Sequence, residues 1–132
     1  VLVLAAGLVS SACATELPAC DRMCVAATAV YGACLDDWEL DWDAAGYRGS
    51  GDFEQSCQTW VWEMQELEKD AVDEGILNER GALVQTCRER HADLSADDAS
   101  CETYTALDWS RAPWESPADP DAATARRPAG SP

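Results

Sequence analysis

Seven cysteines in 132 residues constrain this chain more than any other feature. So many thiols in a short chain form a disulfide framework where the compartment is oxidising. The N-terminus points to such a compartment. Val1 to Val9 is an apolar run without a charge, and with Ser10 to Ala12 it has about the length of a signal-peptide core. It is too short to span a bilayer, which takes roughly 20 apolar residues. No initiator Met and no basic stretch precede it. Residues 1–12 therefore read as a truncated signal peptide, outside the folded domain.

Two processing patterns overlap at its end. Ala12-Cys13-Ala14 fits a small-x-small cleavage site, with release after Ala14. Ser11-Ala12-Cys13 ends like a bacterial lipobox, with cleavage before Cys13 and acylation of its thiol. The aliphatic residue a lipobox carries three positions before the cysteine is Ser10 here, and Val9 lies one further back. Lipidation of Cys13 is the favoured reading, and plain secretion is the alternative. Both remove Cys13 from the thiol pool, leaving Cys20, Cys24, Cys34, Cys57, Cys87 and Cys101, an even six.

Zinc is the competing use of six cysteines. Cys20-x3-Cys24 has the spacing of one zinc knuckle, but no second pair follows, so three disulfides are expected. The net charge is −16, from 25 acidic and nine basic residues. This excludes the cationic phosphate contacts of a nucleic-acid binder and electrostatic docking on anionic lipid. Any membrane association is expected through a lipid anchor alone.

The periodicity is helical. Met23, Cys24, Ala27, Val30, Tyr31 and Cys34 form one stripe, with Cys20 on it, behind a helix start at Pro18. A glycine-containing acidic loop covers residues 38–51. A second helix is expected from Asp52, as cap, to Asp73, with Gly75 ending it and a stripe of Cys57, Trp60, Val61, Met64, Leu67 and Ala71. A third runs from Asn78 to Leu94, with Leu83, Val84, Cys87, His91 and Leu94 inward. Ser95 and Asp98 resemble a capping box before a short fourth helix with Cys101, Tyr104 and Leu107. The expected architecture is an all-α, disulfide-stapled bundle of three to four helices over residues 13–108. A disordered Pro-rich tail over 109–132 follows it.

Pairing within a helix at i, i+4 is geometrically poor, because the Cβ vectors run side by side. The economical framework joins the first helix to each of the others. Cys34–Cys57, Cys24–Cys87 and Cys20–Cys101 are the favoured pairs.

No catalytic constellation emerges. Asp36, Asp37, Glu39, Asp41 and Asp43 put five carboxylates in eight residues, a composition suited to calcium. Asp41, Asp43, Gly46 and Asp52 fall at positions 1, 3, 6 and 12 of an EF-hand-like frame, but Ala45 and Arg48 break it and no bidentate Glu closes it. The expectation is a solvated acidic loop whose Trp residues pack back onto the bundle, with Asp41, Asp43 and Asp52 a weak metal candidate. His91 invites comparison with secreted phospholipases, yet Ala92 stands where those enzymes have Asp and no Gly-rich calcium loop precedes it. A structural role for His91 is expected. Glu54, Glu63, Glu66, Glu68 and Asp70 read as the solvated face of the second helix. Of the six tryptophans, Trp42 and Trp62 lie off the core stripes and are the candidates for a binding surface.

In its export segment, Cys13 and general build, the chain resembles the small cysteine-rich lipoproteins of bacterial outer membranes that lack an assigned activity. The resemblance implies a location and no chemistry: anchored by lipid at the cell envelope, or secreted. The expected function is a non-enzymatic binding or structural role, without cofactor, toward an envelope protein or glycan. The alternative is a secreted hydrolase or a calcium-dependent carbohydrate-binding module using the acidic loop 36–52.

Overall fold

The computed structural model describes residues 17–115. Both processing sites, Cys13 and the last part of the Pro-rich segment lie outside the described residues. Among those residues the chain is all-helical. It has α1 (Pro18–Asp37), α2 (Ser50–Asp73), α3 (Ala82–Ser95) and the short α4 (Cys101–Thr105). None is long and apolar enough to cross a membrane.

α1 is the hub. It packs against α2, α3 and α4, and one disulfide ties it to each of them. Its inner stripe is as the period predicts: Met23, Cys24, Ala27, Tyr31 and Cys34 are buried. Pro18 opens the helix, where a missing N–H costs nothing. Two Schellman motifs end α1 and α2. Leu40 N–H bonds Leu35 O at 2.9 Å, with Glu39 left-handed at φ 54°. Ile76 N–H bonds Ala71 O at 2.8 Å, with Gly75 at φ 76° supplying the left-handed residue. The end of α2 is therefore at Gly75, as expected.

All six described cysteines are paired, and each bridge starts on α1, but the partners differ from the favoured set. The bridges are Cys20–Cys87, Cys24–Cys57 and Cys34–Cys101, with Cα–Cα distances of 4.8, 5.6 and 5.6 Å. Cys34–Cys57, Cys24–Cys87 and Cys20–Cys101 do not form. The error lies in the register of the helices. α1 and α2 are antiparallel, since Phe53 stacks on Tyr31 and Cys57 bonds Cys24. The connection between them is not a short turn, however. It folds back against α1, and α2 starts at Ser50, so Cys57 lies two turns into α2 and meets Cys24 rather than Cys34. α3 begins at Ala82 rather than Asn78, behind an N-cap at Gly81. Cys87 then lies early enough to face Cys20. The chain after α3 carries Cys101 up to Cys34.

Helix starts account for three smaller differences. α2 begins at Ser50 with Gly49 at its N-cap. Asp52 sits in its first turn, where its Oδ2 accepts the Arg48 N–H at 3.0 Å. α4 is capped by Ser100 rather than Ser95, with the Thr103 Oγ1 accepting the Ser100 N–H at 2.9 Å. α3 has no capping side chain of its own. Glu68 of α2 supplies it: its two carboxylate oxygens accept the N–H of Gly81 at 3.0 Å and of Leu83 at 2.7 Å.

Glu68 thus belongs to the inner face, 6% exposed, while Leu67 is 46% exposed. Expecting Glu68 on the solvated face was wrong because one carboxylate does the work of an N-cap across two helices. Glu68→Ala leaves the Leu83 N–H buried without an acceptor. It should cost about 1.5–3 kcal/mol, the range for hydrogen bonds to a charged group, read as a lowered urea midpoint. Glu63→Ala, on the exposed face, is the matched control.

The packed structure also continues past residue 108. Ala112 is buried, and Trp109 and Trp114 pack against the core. Asp108 folds the segment into a turn. Its Oδ1 accepts the Ser110 N–H at 2.9 Å, and its Oδ2 pairs with Arg111 Nε at 2.7 Å. Placing the domain boundary at 108 was therefore too early. Proline content hid two indole anchors.

Candidate functional site

The upper half of the bundle is built on one ring. Tyr31, 1% exposed, contacts five other aromatics. Phe53 stacks on it at 4.4 Å between centroids, Tyr104 and Trp38 meet it edge-on at 5.1 and 5.3 Å, and Trp42 and Tyr47 lie at 5.8 and 5.9 Å. Three of the five come from the connection between α1 and α2. That acidic segment is a compact turn whose carboxylates are solvated and whose indoles pack back onto the bundle, as expected. Asp41 O accepts the Ala45 N–H, its Oδ1 accepts the Ala44 N–H at 2.7 Å, and Trp42 O accepts the Tyr47 N–H.

Trp42 is consequently half-buried against the bundle rather than standing free of it. Its indole lies on Gly32 of α1, where a Cβ would come within 3.1 Å of the ring. The glycine in the middle of α1 is the signal that a flat side chain lies across the helix. Trp62 does stand out from α2, 61% exposed. Trp62→Ala should change stability by less than about 0.5 kcal/mol, the usual range for a surface substitution, against roughly 3–5 kcal/mol for a buried Trp. Equal thermal midpoints for the two proteins would bear this out.

The carboxylates of the calcium frame do not converge. Asp41 and Asp52 each bond a backbone N–H in a separate turn, and Asp43 is exposed. Among the described residues, no group of three or more His, Cys, Asp or Glu side chains is placed to hold a metal ion. His91 is half-buried on α3, apart from the cavity described next.

Below the Tyr31 cluster the rings part around a half-open cavity of about 170 Å3. Its walls are Tyr47, Phe53, Trp60, Tyr104 and Trp109, with Ser56 at the exposed side and Ala27 and Cys57 forming the floor. Sequence reading picked out neither this cavity nor Trp109 as part of it. The walls come from four separate stretches of chain, and no local spacing joins them.

A second layer holds the walls. Trp60 donates its Nε1–H to Trp109 O at 2.9 Å, and the two indoles meet edge-on at 5.0 Å. Arg90 of α3 lies over both, its guanidinium carbon 5.1 Å from the Trp60 centroid and 4.7 Å from that of Trp109. Its Nη2 donates to Asp108 O at 2.8 Å. Arg90 thus clamps the segment after α4 onto the bundle through stacking, charge and a hydrogen bond. Arg90 Nη1 and Trp109 Nε1 are buried without a hydrogen-bond partner among the described residues.

Burial sets the protonation of this region. It pushes the phenols of Tyr31, Tyr47 and Tyr104 above their usual value, Tyr104 most of all, so all three are neutral at physiological pH. Burial lowers the Arg90 pKa, which Asp108 and Tyr104 partly restore. Burial also works to raise Asp108, but hydrogen bonds from Ser110 and the charges of Arg111 and Arg90 prevail and hold its carboxyl below the ordinary value. The cavity therefore offers neutral rings and hydroxyls, the makings of a binding site. No protein-family model matches this chain, and no curated protein or solved structure is detectably similar to it.

Proposed function

We propose that this is an exported protein of the bacterial cell envelope, anchored through lipid on Cys13, that acts by binding rather than by catalysis. The observation that carries the reading is the pairing of all six cysteines that follow Cys13. A framework of three bridges persists in an oxidising compartment, and it has no use for a seventh thiol. That leaves Cys13, directly after an apolar run and two small residues, for acylation. Plain secretion after cleavage at Ala14 is the variant of this reading that keeps export and drops the anchor.

Binding is favoured over hydrolysis by the aromatic cavity. Its walls hold neutral phenols, indoles and one phenylalanine, and among the described residues no His or carboxylate that could serve as a general base lines it.

Cell fractionation tests the location. The native protein should be found with the membrane, and Cys13→Ser should shift it to the soluble fraction. Intact mass should show a diacyl or triacyl modification on the native chain. An unmodified N-terminus at Thr15 would replace the anchor by secretion. Reduced protein in the cytoplasm would overturn export altogether.

A further inference from the structure

We infer that the cavity between α1, α2 and the segment after α4 is a binding site for an uncharged aromatic compound of one ring, with phenol as its simplest representative. The inference deepens the binding reading above and rests on it, but not on where the protein resides.

Size sets the first limit. The cavity measures about 170 Å3. An engineered protein cavity of roughly 150 Å3 takes up benzene, so one six-membered ring is the matching occupant and a two-ring compound is not. Chemistry sets the second. Five of the lining side chains are rings, which favour an aromatic guest through edge-to-face and offset contacts. The hydroxyls come from Ser56, Tyr47 and Tyr104, enough to meet one polar substituent. A sugar ring of the same size carries a hydroxyl on nearly every carbon, and most would lose their water without gaining a partner.

Charge sets the third limit. An aromatic cage of this kind could in general hold an organic cation. Here Arg90 already lies on Trp60 and Trp109, at 5.1 and 4.7 Å from their centroids. It uses the negative faces of two walls and repels a second cation seated against them. An anion would feel Arg90 only across those rings, with Asp108 beside the guanidinium offsetting its charge. Among the described residues no cationic side chain lines the cavity itself, and the chain as a whole carries a charge of −16. A neutral guest is what remains.

The mouth offers a clean variant. Ser56 is exposed on α2, and its hydroxyl donates to the Asp52 carbonyl one turn back. Ser56→Phe places a ring in the opening, and Gln58→Phe places the same ring on an exposed position of α2 that does not line the cavity. Calorimetric titration of the oxidised full chain with phenol should be saturable, with a dissociation constant on the order of 1 mM for so small a ligand. Gln58→Phe should match the parent, and Ser56→Phe should bind at least about 10-fold more weakly. Should Ser56→Phe fail to fold, nuclear Overhauser contacts between phenol and the rings of Trp60 and Tyr104 in the parent decide the question. Tetramethylammonium, benzoate and methyl glucoside are titrated alongside. Tighter binding of any of the three, the absence of saturable phenol binding, or phenol binding unaffected in a folded Ser56→Phe would overturn the proposal. Each of these outcomes leaves the fractionation result for Cys13→Ser untouched, so the two readings fail separately.

Discussion

Reduction of the three disulfides is expected to unfold this domain at about 37 °C, the outcome commonly seen when small secreted domains lose their bridges. Two of the bridges span 67 residues of sequence and one spans 33. Loop-closure entropy puts bridges of those spans at about 4 kcal/mol each, taken singly. Their loops overlap, so the joint effect is smaller than three separate ones, yet it remains on the order of 10 kcal/mol. A domain of this size has only about 5–15 kcal/mol of net stability. The apolar stripe on α3 is short, and the segment after α4 is held by little more than two indoles, Arg90 and a turn, so packing offers no comparable reserve. Far-ultraviolet circular dichroism with and without reductant measures the effect. A cooperative loss of helix on reduction is the expected trace. A reduced protein that keeps its melting transition within a few degrees of the oxidised one would show that packing, and not the bridges, holds the bundle. Removing one bridge at a time should rank Cys20–Cys87 and Cys34–Cys101 above Cys24–Cys57 if loop span dominates.

The second large effect is expected at Tyr31. Its ring is fully enclosed and joins α1 to α2, to α4 and to the turn holding Trp38, Trp42 and Tyr47. Tyr31→Ala should cost about 3–5 kcal/mol, the range for deleting a buried aromatic ring. The void would open between rings that cannot collapse onto it, because Phe53 is fixed by α2 and Tyr104 by the Cys34–Cys101 bridge next to it. Tyr31→Phe keeps the stacking on Phe53 and the edge contacts, so it should lose only about 1 kcal/mol, the usual net worth of one hydroxyl's hydrogen bonding. Urea unfolding of the two variants separates ring packing from hydroxyl chemistry. Equal losses for Ala and Phe would assign the role to the hydroxyl and remove the aromatic cluster from its place at the heart of the fold.

The first two helices were legible because their chemistry is local. Pro18 and the i, i+3, i+4 recurrence from Met23 to Cys34 specify α1, and Gly75 stops α2 by supplying a left-handed residue. That α1 joins every other helix was legible too, from three cysteines on one face. The partners were not, because register depends on how the connections fold. The turn carrying Trp42 could be read only by noticing that Gly32 leaves room for an indole on α1. Glu68 misled for a related reason. A carboxylate at an inward position breaks the apolar pattern, and its purpose shows only at Gly81 and Leu83, far along the chain. The missing cap residue before Ala82 was the available hint. Composition hid the end of the domain, since prolines drew attention away from Trp109 and Trp114. The aromatic cavity was illegible throughout, because its walls come from four separate stretches of chain.

Peptide mapping of the unreduced protein tests this architecture most directly, because the pairing depends on register at all three helix contacts. Cross-linked peptides joining Cys20 to Cys87, Cys24 to Cys57 and Cys34 to Cys101, with none of the six thiols free, are the predicted result. A peptide joining Cys34 to Cys57, or free thiolates carrying stoichiometric zinc, would contradict it.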